Sequence, residues 1–486
     1  MKLVKSIVFL ARNRENDPAI AYPGGVATYG ALMKSVASAV EALRTFELAP
    51  GSAVMLDIRN PIHHTAMIFA LALLGLPSAS IGTTFVAEKA GFLPKLFLTD
   101  RDGVTMAGVR VMQVDDRWFV SDPGARPDYR KLLALPGFTS PDSIVRFVYS
   151  SGTTGHPKCV ALTQACIELR AAHSSLSSAW WMSGPASLSM MGFSTIVGIM
   201  APLSAHMRGS VLCYAGNYTD ALQMLQMFRV SALVLAVGQF QALYKVFGDH
   251  SPPLSSVKLL AIVGAKIPKA MLTEARARIC STVMFGYGST EMGGISSGMA
   301  TSLDTPEGFA GYVQPWAEIE AVDDDRRVIP AGTEGVLRIR TPELAFYVDA
   351  EGRPVDMLED GWFYPGDIGT VTEDGQLLIT GRSTEIINKG GIVVAPDAIE
   401  EVLRLDKRVA DVAVVGVVNA SGLEEIWAAV VADTLIDPGA IIEAARPRLN
   451  EKVPDRVIQV SEIPRAESAK VRRNALRETL KAKLGV

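Results

Sequence analysis

Residues 149–158 read YSSGTTGHPK, a run of hydroxyls and glycines ending in one lysine, set between the apolar runs IVRFV and CVAL. Both flanks read as buried strands, so the polar, flexible turn between them is carried on a rigid frame. Backbone N–H groups of a Gly-rich turn, with Ser and Thr hydroxyls and a lysine, suit phosphate oxygens. The same composition also describes an ordinary surface loop. The Walker spacing GxxxxGK[ST] is not met, because counting from Gly152 the second glycine falls on Pro157, and Lys158 is followed by Cys159.

Working outward, short apolar runs alternate with helical patterns. SAVMLDI (52–58), KLFLTD (95–100), SIVRFVYS (143–150), SVLCYAG (210–216), ALVLAVG (232–238), KLLAIVGA (258–265) and TVMFGYG (282–288) read as strands entering Gly-rich turns. Thr28-Tyr29 opens a helix with apolar residues at Leu32, Val36, Val40 and Leu43. This alternation predicts an α/β fold of parallel-rich sheets covered by helices, with function at the loops leaving the strands. After about Asp304 the pattern becomes antiparallel: EIEAVDDDRRVIPAGTEGVLRIR reads as two strands of a small barrel-like subdomain. GRSTEIINKGG (381–391) is a second Gly-rich break, and helix and strand patterns beyond it make a small α+β tail. Residues 1–383 are therefore expected to form an N-terminal domain and residues 384–486 a C-terminal one.

At 486 residues the chain is too long for one ordinary core. A net charge of -4 gives no general attraction to nucleic acid or anionic lipid. The four cysteines, Cys159, Cys166, Cys213 and Cys280, lack metal-ligand spacing and read as reduced residues of a cytoplasmic protein. The N-terminus shows no signal-peptide pattern. Thr65–Gly82 is the most membrane-like segment, but Gly75 and Pro77 break it, and it reads as a buried helix running into a strand, with no membrane span.

The loop at 149–158 resembles the signature of the adenylate-forming superfamily: acyl-CoA synthetases, luciferases and the adenylation domains of peptide synthetases. GYGSTEMG (286–293), GWFYPGDIG (361–369), GRSTEIINKGG (381–391) and IPRAESAKVRR (463–473) follow in the family's order and span nearly the whole chain. One such motif is weak; five in order are specific. The resemblance implies a large N-terminal domain and a small mobile C-terminal lid, with ATP, Mg²⁺ and CoA as cofactors. It places Ser150, Ser151, Thr153, Thr154 and Lys158 on the ATP phosphates and makes Glu291 the Mg²⁺ ligand, with Thr290 on the α-phosphate. Tyr287, between Gly286 and Gly288, would lie against the adenine, opposite the Gly264-Ala265-Lys266 backbone. Asp367 and Arg382 would hold the ribose. Lys470 would be the catalytic lysine, although Ala469 stands where the family usually has glycine. Thr384 aligns with the hinge, and Lys389, Gly390 and Gly391 with the tunnel for a pantetheine arm.

The same resemblance points the acyl pocket to Phe193, Ser194, Thr195, Gly198, Gln239 and Met292. Thr195 stands where many acyl-CoA synthetases carry a gating histidine. No acid occurs from Trp180 to Arg208, so the α-ammonium of an amino acid would lack a counter-charge. The leading expectation is an acid–thiol ligase that makes an acyl-CoA from a small-molecule carboxylic acid. Loading of a carrier protein, amide formation and a non-catalytic nucleotide-binding homologue are the alternatives, and a homodimer is left open.

Overall fold

Every residue from His64 to Leu73 is buried, in a helix, Pro61–Leu74, that is apolar all round and therefore needs cover on every side. Asn60 caps its start by accepting from the N–H groups of Ile62 and His63. Gly75, at φ 74°, ends it in the left-handed conformation, and the chain turns directly into the strand Ser78–Ser80. The membrane-like segment is thus a core helix. Among the described residues, no helix is long and apolar enough to cross a membrane.

The structure is a computed structural model. It describes residues 2–81, 94–119, 126–150, 158–178, 184–247, 254–264, 267, 269–300, 306, 308–382, 385, 387–389, 392–419, 424–466 and 470–485, without the side chains of 150, 175–178, 238, 241, 269, 270, 300, 388, 392 and 393. They divide into two compact units. One comprises Met1–Ser150, Pro157–Leu303 and Thr341–Met357; the other is chiefly Asp304–Arg340 and Leu358–Val486.

The first unit carries two sheets. In one, strands run in the order Gly25–Thr28, Pro18–Tyr22, Val211–Cys213, Ala186–Ser189, Ala232–Ala236, Leu259–Val263, Val283–Ser289 and Gly293–Ala300. Its interior pairs are parallel, and the first and last pairs are antiparallel. In the other, Lys158–Thr163 pairs antiparallel with Ile144–Ser150, which continues through parallel strands Ser78–Ser80, Val54–Asp57, Leu96–Thr99 and Arg110–Gln113. Phe346–Val348 adds to the outer edge of Lys158–Thr163, with Tyr347 opposite Val160. All seven runs read as strands contain one, and Thr28 caps the helix Tyr29–Arg44 as its sequence predicts. The helix Lys2–Asn13 buries Leu3, Val4, Ile7, Val8 and Ala11 on one face.

The second unit contains antiparallel strands Glu318–Val322, Glu334–Arg340, Asp367–Val371 and Gln376–Arg382, as expected for a barrel-like subdomain. Its C-terminal part sets Asp411–Val418 antiparallel to Glu424–Val431, which runs parallel to Arg456–Gln459. Helices Pro396–Leu403, Pro438–Leu449 and Arg473–Leu484 complete this part. The half-buried Arg473 guanidinium gathers Glu385 at 2.7 Å, Asp397 at 2.7 Å and Glu400 at 2.6 Å. The expected domain boundary at 383/384 lies outside the described residues.

Candidate active site

Lys158 opens its strand with the side chain exposed, and its ammonium stands over the ring of Tyr347, 4.7 Å from the centroid. The Tyr347 hydroxyl donates to Glu291 Oε1 at 3.1 Å. The lysine that ends YSSGTTGHPK and the glutamate of GYGSTEMG, far apart in sequence, therefore meet on one tyrosine. Sequence reading missed Tyr347, because its position depends on the pairing of Phe346–Val348 with Lys158–Thr163.

The turn bearing Glu291 is braced from behind. The strand Val283–Ser289 folds back on Gly293–Ala300, and a Cβ at Gly288 would lie 2.2 Å from the Gly293 carbonyl oxygen, so the turn needs glycine there. Arg170, buried on the helix Gln164–Ser178, donates to the carbonyls of Thr290 (3.0 Å), Glu291 (3.1 Å) and Glu343 (2.7 Å). The Glu343 carboxylate, also buried, accepts from His173 Nδ1 at 2.7 Å and from the Gly294 N–H at 3.0 Å. The Glu291 side chain itself is 8% exposed and has no cationic partner among the described residues. A nearly buried carboxylate with one hydroxyl donor and no cation fits the needs of a hard divalent ion. Glu291 would hold that ion.

Gly286, Tyr287 and Gly288 lie in the strand leading to this turn, and Gly264, at φ 88°, ends the strand Leu259–Val263. Ser151, Thr153, Thr154, Ala265 and Lys266 lie outside the described residues, as does the side chain of Ser150.

The expected acyl-pocket residues are held by a buried polar network. The Phe193 ring stacks on His64, with centroids 4.1 Å apart, and its carbonyl accepts from Arg146 at 3.1 Å. Arg146 also donates to Ser78 and Ser80, and Ser80 contacts His64 Nε2 at 2.6 Å. Burial without a carboxylate neighbour pushes Arg146 down to about 9, and burial pushes His64 down to about 3. Thr195 caps the helix Ile196–Met207 by accepting from the Gly198 N–H at 3.0 Å. Gly198 packs so closely that a Cβ would fall 1.9 Å from the Gly192 carbonyl oxygen. Gln239 spends its amide on bracing, accepting from Ala236 N at 2.9 Å and donating to the Met190 carbonyl at 2.7 Å. Met292 is buried, and Ser194 is half-buried.

In the second unit, Asp367 and Arg382 are direct cross-strand partners, and the Arg382 guanidinium meets the buried Asp367 carboxylate at 2.8 Å. Lys470 is half-buried, and its carbonyl accepts from the Ala466 N–H at 2.8 Å, beside an Arg465–Val471 bridge. Two of its basic neighbours are committed elsewhere: Arg465 grips both Asp411 oxygens and Arg473 its three carboxylates. Lys389 pairs with Asp455 at 2.6 Å. Thr384, Gly390 and Gly391 lie outside the described residues. All four cysteines are buried and free, and burial raises Cys159 and Cys213 to about 12, so neither offers a ready thiolate.

A family model described as AMP-binding enzyme matches residues 10–346, well over half of the sequence, and the chain belongs to this family of adenylate-forming ligases. Among curated proteins it is similar to the fatty acid–[acyl-carrier-protein] ligase ScoC of Streptomyces coeruleorubidus, 24% identical over 98% of this chain and 96% of that one. It is also similar to the 2-succinylbenzoate–CoA ligase of Bacillus cytotoxicus, 25% identical over 94% of each. Among solved structures, o-succinylbenzoate CoA synthetase of Bacillus subtilis, in complex with an acyl-adenylate, matches with a TM-score of 0.84. That match covers 97% of this chain and 98% of the other at 21% identity, and it establishes the fold.

Proposed function

We propose that this enzyme activates a carboxylic acid with ATP and Mg²⁺ as an acyl-adenylate and then transfers the acyl group to the thiol of CoA. The observation that carries the reading is the convergence of Lys158 and Glu291 on Tyr347. A carboxylate cannot readily lose O²⁻ to a thiol. Its attack on the α-phosphorus, with release of pyrophosphate, makes AMP the leaving group. Catalysis of that step is largely positioning and neutralisation of phosphate charge. Lys158 and the hydroxyls of the phosphate loop bind the β- and γ-phosphates; Asp367 and Arg382 take the ribose; Lys470 faces the reacting oxygens. Glu291 would hold a divalent ion, which would supply further neutralisation of phosphate charge. Residues 384–486 reorient at Thr384 between the two steps, bringing Lys389, Gly390 and Gly391 to the thiol.

A carrier-protein thiol is the second reading, favoured by the relative ScoC, whose similarity extends along almost the whole chain. A panel of carboxylic acids scored for pyrophosphate, with CoA, a phosphopantetheinylated carrier protein, an amine or no acceptor, separates these readings. The expected product is an acyl-CoA; acylation of the carrier or amine alone would transfer the assignment to that acceptor.

The acid is expected to be an uncharged acyl or aryl carboxylate. No carboxylate lies between Trp180 and Arg208, and the charged group bonded to the Phe193 turn is a cation, Arg146. Burying an ammonium there costs several kcal/mol, or about two orders of magnitude in rate or more. Pyrophosphate exchange should therefore run about a hundredfold faster with phenylpropanoate than with phenylalanine. Faster exchange with the amino acids across several matched pairs would overturn this reading of the pocket.

A further inference from the structure

We propose that Tyr347 is a positioning residue for the phosphate and metal end of the site, resting on the roles given above to Lys158 and Glu291. Two opposite charges facing an open nucleotide site tend to collapse into a direct ion pair, which an incoming nucleotide and its metal must then break. Here they do not pair. Among the described residues Lys158 has no carboxylate within salt-bridge distance, and its ammonium instead rests on the face of the Tyr347 ring. Glu291 has no cationic partner among the described residues either, and its Oε1 accepts from the hydroxyl of that same ring at 3.1 Å. Tyr347 thus separates the two charges: the ring seats the Lys158 ammonium where a phosphate can readily take it over, and the hydroxyl takes only Oε1 of Glu291, orienting the carboxylate with its other oxygen left for a cation.

The placement of Tyr347 is rigid. It stands in the middle of the strand Phe346–Val348, paired with Val160, two residues past Lys158, on one side and with Val355 on the other. Glu291 is tied to the same segment, since its carbonyl accepts from the Ala345 N–H at 2.7 Å. The ring and the carboxylate therefore keep a fixed relation, which a long side chain alone would not give.

The two contacts can be removed separately. Tyr347→Phe keeps the ring under Lys158 and deletes the donor to Glu291; Tyr347→Leu deletes both. A hydrogen bond to a charged group is worth roughly a tenfold change in an equilibrium. Binding of Mn²⁺ in the presence of ATP and without any acid, followed by electron paramagnetic resonance, should weaken about tenfold in Tyr347→Phe. ATP affinity measured without metal should be unchanged in that variant. In Tyr347→Leu, ATP affinity without metal should also fall severalfold, because Lys158 is then free to close on Glu291. Thioester formation from supplied acyl-adenylate should be unaltered in both variants.

Unchanged Mn²⁺ binding in Tyr347→Phe would overturn this inference while leaving the proposed function standing. So would an equal loss of every activity in both variants, the mark of a merely structural role. A wild-type enzyme that bound no Mn²⁺ with ATP would overturn both.

Discussion

Lys470→Ala should lose acyl-adenylate formation by about a hundred- to a thousandfold, the usual cost of deleting one donor aimed at developing charge, yet keep thioester formation from supplied acyl-adenylate. The backbone of Lys470 and its charged neighbours have partners of their own. The Lys470 carbonyl accepts from Ala466, the Arg465–Val471 bridge closes the loop, Arg465 is anchored on Asp411, and Arg473 begins the following helix already paired. The side chain beyond Cβ, with its ammonium, is removed. Each tenfold loss corresponds to about 1.4 kcal/mol of transition-state stabilisation. Rapid-quench measurement of the two half-reactions separates the outcomes. Equal loss in both would mean that Lys470 supports the fold or the nucleotide generally, and that the two steps do not use different orientations of residues 384–486.

Arg473→Ala should destabilise the C-terminal part by about 3 kcal/mol, because it takes the main cation from the buried Glu400, while Glu385 and Asp397 stay in contact with water. Glu385, Asp397 and Glu400 share this guanidinium, which also donates to the Val414 carbonyl at 2.8 Å. Arg404, at 3.2 Å from Glu400, cannot replace it for the other two. The pH dependence carries its own sign. Burial pushes Glu400 up, but Arg473 and Arg404 together outweigh burial and hold it below its ordinary range. A depressed carboxylate contributes stability that is present above its unfolded pKa of about 4.3 and is lost as pH falls through the folded value. The wild-type protein should therefore lose this contribution only in acid. In Arg473→Ala burial dominates, the carboxyl is raised, and stability should rise as pH falls from 7 towards 5. Denaturant melts at several pH values, followed by the Trp427 fluorescence of this part, test both the size and the reversal. A variant as stable as wild type, with the same pH profile, would show that the three carboxylates do not depend on Arg473.

The strands that carry the site were legible because they are short apolar runs ending in Gly-rich turns, and the five motifs were legible because their order is informative. The strand Gly293–Ala300 was not. Its sequence, GGISSGMA, has neither apolar alternation nor β-branched density, and its pairing is fixed by the preceding strand through the turn at Gly288–Gly293. Arg170, His173 and Glu343 were equally hidden. Each looks like a surface charge in its own segment, yet Arg170 and Glu343 are buried and His173 half-buried because the helix Gln164–Ser178 packs behind the Glu291 turn. Tyr347 belongs to the same class: its neighbours in sequence say nothing of Lys158 or Glu291. Arg146 inverted the expectation for a strand reading IVRFV, since its charge is kept inside by serine hydroxyls and a carbonyl. Long-range packing, and no local propensity, sets these positions.

In the proposed reaction a carboxylate oxygen attacks the α-phosphorus of ATP, and AMP, still carrying that oxygen, is displaced by the acceptor. Turnover of an oxygen-18-labelled acid identified from the panel, followed by mass analysis of the nucleotide product, tests it directly. AMP should bear one labelled oxygen, with unlabelled pyrophosphate and an acyl product that has lost one label. Unlabelled AMP, or ADP with labelled inorganic phosphate, would contradict it.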